Sequence, residues 1–192
     1  MSYILSDIAT VKGGHPFRGK IEEDKEGNAN AVQLKDINEF EGIEWSQLVC
    51  TSLSGRKSPD WLAEGDVLFA ARGLKNIAVC VDQAEKPTVC GPHFFLIQIK
   101  LTANILPEFL AWQLNQVLAQ KYFSQSAEGS AQLSIRRAVV ENTPITIPSL
   151  SKQETIVAFN KAAQKEKKML LELIDNRSNQ MQGIAQRTLL NN

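Results

Sequence analysis

The stretch TPITIPSLSKQETIV, Thr143–Val157, is where this chain changes style. Upstream of it the apolar runs are short and broken by Gly, Pro, Asn and Asp; after Pro148 there is no further proline and one glycine, Gly183. Pro144–Ile147 alternates in the manner of a strand, and Ser151 with Glu154 three residues later carries a capping-box signature, which predicts a helix starting just after the Pro-Ser-Leu turn. A β-type body therefore hands over to a helix near residue 150.

Downstream, Ile156, Phe159, Ala163, Leu170, Ile174, Met181, Ile184 and Leu189 recur at steps suited to one face of a helix, with Lys167, Arg177 and Gln180 interrupting the stripe. Forty helical residues would measure about 60 Å at 1.5 Å per residue. A body of about 150 residues has an expected radius of gyration of only ~15 Å, too small to cover such a stripe. Either the helix folds back near Asp175–Asn179 or a helix of another chain pairs with it. The interruptions favour a loose pair or bundle over a tight two-stranded zipper.

Upstream, strands are expected at Ala31–Ile37, Asp66–Ala71, Ile77–Asp82, Phe94–Lys100 and Pro144–Ile147. Pro107 followed by EFLAWQLNQVLAQKYF places Leu110, Leu114, Val117 and Leu118 at helical spacing and predicts one helix packed on the β body. The fold class is α+β, with a mostly β domain over 1–150 and a long helix over 151–192. Gly65–Asp66 reads as a turn into a buried strand. Trp45, Trp61 and Trp112 read as core or core-edge aromatics.

Composition narrows the function. The 192 residues, 43% hydrophobic, carry 21 Lys+Arg against 21 Asp+Glu. Residues 1–150 hold 14 basic and 17 acidic side chains, and residues 151–192 hold 7 and 4. Much of the acidity is confined to Glu22, Glu23, Asp24 and Glu26 and to Asp36, Glu39, Glu41 and Glu44, so the rest of the first part is net basic, and an anion needs only a local basic face. Cys50, Cys80 and Cys90 lack paired spacing and read as reduced thiols. The start, MSYILSDIATV, lacks the charge and apolar length of a signal peptide, and no run reaches a membrane span, so a cytoplasmic location without membrane partners is expected. No Gly-rich phosphate loop, HExxH or GxSxG is present, and Gly13–Gly14 precedes His and Pro instead of a helix. His15 and His93, the two histidines, match no zinc spacing with Cys80 and Cys90 and read as turn and strand-edge residues. No catalytic residue, metal or cofactor is expected.

Four segments, in order, carry a likeness: LSDIATVKGGHPFRG (Leu5–Gly19), AVQLKDI (Ala31–Ile37), LAEGDVLFAARG (Leu62–Gly73) and TPITIPSLSKQETIV. Together they resemble the specificity subunit of type I restriction-modification systems, along essentially the whole chain. The resemblance implies a non-catalytic subunit whose target recognition domain reads half of a split site in double-stranded DNA. It also implies docking onto methyltransferase subunits and, through them, the restriction subunit. That family has two recognition domains and two helices, whereas this sequence has one of each. By analogy it would form a homodimer, or pair with a second half-subunit, through antiparallel helices over 151–190. Ile156, Phe159, Ala163, Leu170, Ile174, Met181 and Ile184 would form the interface.

Within that expectation, the DNA-binding candidates are basic residues on loops: Arg18 and Lys20 flanking Gly19, Arg56 and Lys57 in SLSGRKSPD, Arg72 and Lys75 after an apolar strand, and Arg136 and Arg137 in AQLSIRRAVV. Arginine can bond two acceptors at once, which suits phosphate or guanine. For Arg136 and Arg137, contact with DNA and contact with a methyltransferase are equally open. Ser124–Ser126 and Glu128–Ser130 form a polar loop that reads as solvated, and Lys161, Lys165, Lys167 and Lys168 read as the wet face of the last helix. The competing reading from another class is a protein-interaction adaptor with a dimerising helix and no affinity for nucleic acid.

Overall fold

The computed structural model describes residues 2–53, 58–73, 75–84, 86–126 and 134–190. In chain order the elements are β1 Ser2–Ile4, α1 Leu5–Ile8, β2 Ala9–Gly13, β3 Ala29–Val32, β4 Ile37–Asn38, β5 Gly42–Ile43, β6 Val49–Thr51, β7 Val67–Ala70, β8 Ala78–Cys80 and β9 Thr88–Cys90. They continue with β10 Phe94–Ile99, α2 Pro107–Leu114, α3 Val117–Ser126, α4 Arg137–Glu141, β11 Pro144–Thr146 and α5 Leu150–Leu190. The fold is α+β, and the chain divides into two compact units, 1–157 and 158–192.

In the first unit β7 decides the layering. Its four residues Val67, Leu68, Phe69 and Ala70 are all buried, because successive side chains point to opposite faces and both faces are covered. Val67 and Phe69 join Ile97, Leu110, Leu114, Phe123 and Val140 in a core shared with the helices. Leu68 and Ala70 join Leu96, Phe94, Val32 and Cys90 in a second core facing the other sheet. The central sheet is antiparallel in the order β2-β10-β7-β8, and the smaller one runs β6-β3-β9, with β3 parallel to β9. Gly65–Asp66 makes the turn into β7, with Gly65 at φ 87° and the Asp66 carboxylate accepting the Ala63 amide at 2.9 Å.

The structure revises three local expectations. The expected strand Ala31–Ile37 is interrupted at Leu34–Asp36 by a 3₁₀ turn, because the Asp36 carboxylate accepts the Gln33 amide at 2.8 Å and bends the chain. The single expected helix after Pro107 is two helices, broken at Asn115–Gln116. At that break the Asn115 side chain donates to the Ala78 carbonyl and accepts from the Ala78 amide, both at 2.8 Å, so it completes the outer edge of β8. Gln113 does the same for β11, donating to the Thr146 carbonyl at 2.8 Å and accepting its amide at 2.7 Å. Thirdly, α5 begins at Leu150 with Ser151 already inside it, and the Ser149 carbonyl accepts the Lys152 and Gln153 amides.

Trp112 stacks on Phe109 and Trp45 donates to Asp82 at 2.8 Å, whereas Trp61 is exposed. The second unit is helix, and α5 runs unbroken from Leu150 to Leu190, without a fold-back at Asp175–Asn179. No helix among the described residues is long and apolar enough to cross a membrane.

Candidate nucleic-acid interface

Strand direction sorts the loops of the first unit into two ends. Gly13, Phe94 and Ala70 lie at one end of the central sheet, since Phe95 pairs with Gly13 and Phe94 with Ala70. The Gly14 amide donates to the Phe94 carbonyl at 3.0 Å, His15 to Cys90 at 2.7 Å, and Gly91 to Val32 at 2.9 Å, so the exits of β3 and β9 share that end. The approach is close enough that a Cβ on Gly14 would stand 2.0 Å from the Gly91 oxygen, which leaves glycine as the residue that fits. Arg18 and Lys20 stand exposed on the loop that follows.

Arg72 and Lys75 are exposed on the connection from β7 to β8 at the same end. Asn76 braces this connection by donating to the Ala70 carbonyl at 2.9 Å, and Gln120 donates to Asn76 at 2.8 Å. The Ala71 amide donates to His93, the Ile135 amide donates to Ala71, and Arg72 forms an antiparallel bridge with Ser134. That ladder draws the Arg136–Arg137 segment alongside Arg72. Arg137 is held by Glu141, with Nε 2.7 Å from the carboxylate one turn along α4. Arg18, Lys20, Arg72 and Lys75 make no ion pair with another described residue. Arg56 and Lys57 lie outside the described residues, as does the Glu128–Ser130 loop.

Three further side chains belong to this end that composition and motif reading did not single out for binding. His15 stands edge-on to Phe17 with ring centroids 4.8 Å apart, His93 is exposed beside Ala71, and Lys35 is exposed on the turn after β3. The usable sequence signal was position, since each falls two or three residues beyond a strand end.

At the other end, the loop after β10 receives the root of α5. Gln153 is fully buried; its oxygen accepts the Leu106 amide at 2.8 Å, and its nitrogen donates to the carbonyls of Asn104 at 3.0 Å and Pro148 at 2.9 Å. Ile156 packs against the core of the first unit, and Val157 is part of it. Beyond them Phe159, Leu170, Ile174, Met181 and Ile184 are exposed by 54–73% and Ala163 is exposed too. Met169, Leu171 and Leu173 are exposed as well, so the apolar stripe widens at mid-helix.

Among the described residues no group of three or more His, Cys, Asp or Glu side chains could hold a metal ion. Burial pushes the Cys90 thiol up to about 12, which keeps it protonated and unreactive.

Residues 1–174 match the family described as type I restriction modification DNA specificity domain. Comparison with curated proteins gives no match. Among solved structures the fold is similar to the S subunit of a type I restriction-modification system from M. genitalium, with a TM-score of 0.57 at 13% identity over 93% of this chain and 42% of that one. It is also similar to the HsdS subunit from Thermoanaerobacter tengcongensis, with a TM-score of 0.60 at 16% identity over 94% and 46%. A chain from a structure of complex assembly and conformational transition in a type I R-M system gives a TM-score of 0.54 at 16% identity over 91% and 43%. This chain thus spans less than half the length of each of these three.

Proposed function

The chain belongs to the family of type I restriction modification DNA specificity domains, and from that premise we propose that it is a non-catalytic specificity subunit reading half of a split site in duplex DNA. The observation that carries this reading is the gathering of Arg18, Lys20, Arg72, Lys75 and Arg136 on loops, with Arg137 at the start of α4, at one end of the two sheets, with the helix root at the other. Phosphate contacts from such a set fix register, while arginine and neighbouring polar groups reach base edges. The target recognition domain is the body up to about residue 150, and the remaining helix pairs with a second copy or a second half-subunit. In an isologous antiparallel pair the patch formed by Phe159, Ala163, Leu170, Ile174, Met181 and Ile184 meets the same patch of the second copy, the Phe159 end of one helix facing the Ile184 end of the other.

Docking onto methyltransferase subunits, and through them the restriction subunit, draws support from the middle of α5. At 100° per residue, Met169, Leu170, Leu171, Leu173 and Ile174 sweep about 200° of the circumference, wider than the ~100° stripe that one facing element covers. A second helix from a methyltransferase subunit fits the remainder.

Selection of bound duplexes from a random library, with the full chain alone and with its methyltransferase partner, tests the reading. A two-fold symmetric split site is expected. Log affinity should fall with log salt with a slope of about −4.5 to −5.5 for five to six phosphate contacts. Recovery of unselected sequences with no salt slope would favour the adaptor. A cytoplasmic location accompanies this function.

A further inference from the structure

Gln153 is a buried polar residue in the second turn of a helix, a position where an apolar side chain would pack without desolvation cost. Its three hydrogen bonds run in three directions: to the Leu106 amide, to the Asn104 carbonyl on the same loop, and to the Pro148 carbonyl just before the helix. Apolar contacts at Ile156 and Val157 resist separation of the helix from the core but are non-directional. The amide bonds are directional, and a slip of α5 by one residue would turn it by about 100° and break all three.

We propose that Gln153 is a positioning residue for spacer length: it fixes the rotation of α5 at its root, so that a dimer accepts a narrow range of separations between half-sites. The inference rests on the split-site reading above. One added base pair demands about 3.4 Å of translation and about 34° of rotation from the reading heads, and a locked root transmits that demand as strain on protein and DNA. With the amide replaced by an apolar side chain, the root can rotate within its apolar contacts and absorb it.

The test compares the wild-type full chain with Gln153→Met, which keeps the volume, on duplexes carrying the selected half-sites at the optimal spacer and with one base pair added or removed. Wild type is expected to lose about tenfold in affinity per base pair of error, and Gln153→Met no more than about twofold, with affinity for a single half-site unchanged. Equal spacer discrimination in the two proteins overturns the proposal. Hydrogen exchange on the wild type gives an arm that does not depend on the variant folding. The Leu106 amide should exchange as slowly as those of β7, and exchange at the rate of a frayed helix end would overturn the lock. A wild-type chain that selects no split site would strike the functional reading instead, leaving the exchange arm to judge the joint.

Discussion

Asp66 is buried at the entry to β7, and burial raises its pKa above the ordinary 3.8 against the opposing effects of the Ala63 amide, Gln98 and Lys12. Below 3.8 the group is protonated in folded and unfolded chains alike. As pH rises through that value the unfolded chain ionises first, so this residue lowers stability progressively until the folded form has ionised as well. Asp66→Asn keeps an acceptor for the Ala63 amide and removes the titration. Its unfolding free energy relative to wild type should therefore rise as pH increases through 3.8 in urea melts, and a fall would contradict the burial argument. The turn at Gly65–Asp66 was legible because both residues commit locally. The histidines were legible only as turn and edge residues. What brings them to one end, the His15–Cys90 and Ala71–His93 backbone bonds, joins residues far apart in sequence.

Elements were readable in proportion to their length and to how local their pairing is. Val67–Ala70, Ala78–Cys80, Phe94–Ile99 and Pro144–Thr146 lie inside the expected strands, and the long helix is where the stripe put it. Thr88–Cys90 and Val49–Thr51 are three residues each, held by pairing with β3 across a long loop, so neither shows a period of its own. The break between α2 and α3 was invisible because a helical pattern does not report that Asn115 is needed by Ala78. The start of α5 has a practical consequence. A chain ending at Asn160 should be a stable monomer. One ending at Leu150 loses Gln153 and Val157, leaves the Leu106 amide unpaired, and should be less stable by about 3–5 kcal/mol. Denaturant melts and sedimentation compare the two; equal stability, or a dimeric 1–160 chain, would refute this division of labour.

For the molecule as a whole, binding and assembly are expected to be separable. Reversing Arg18, Arg72 and Lys75 to Glu together should cut duplex affinity by about 10³ or more while sedimentation shows the same oligomer as wild type. Unchanged affinity would move the DNA face elsewhere, and loss of the oligomer would tie the loops to assembly. Any chain with small sheets runs the hazard of strand-on-strand polymerisation, for which the open margins of those sheets are templates. Two carboxamides, that of Gln113 in α2 against Thr146 and that of Asn115 just past its end against Ala78, sit on those margins like terminal rungs. They impersonate the next strand and halt the ladder at β8 and at β11.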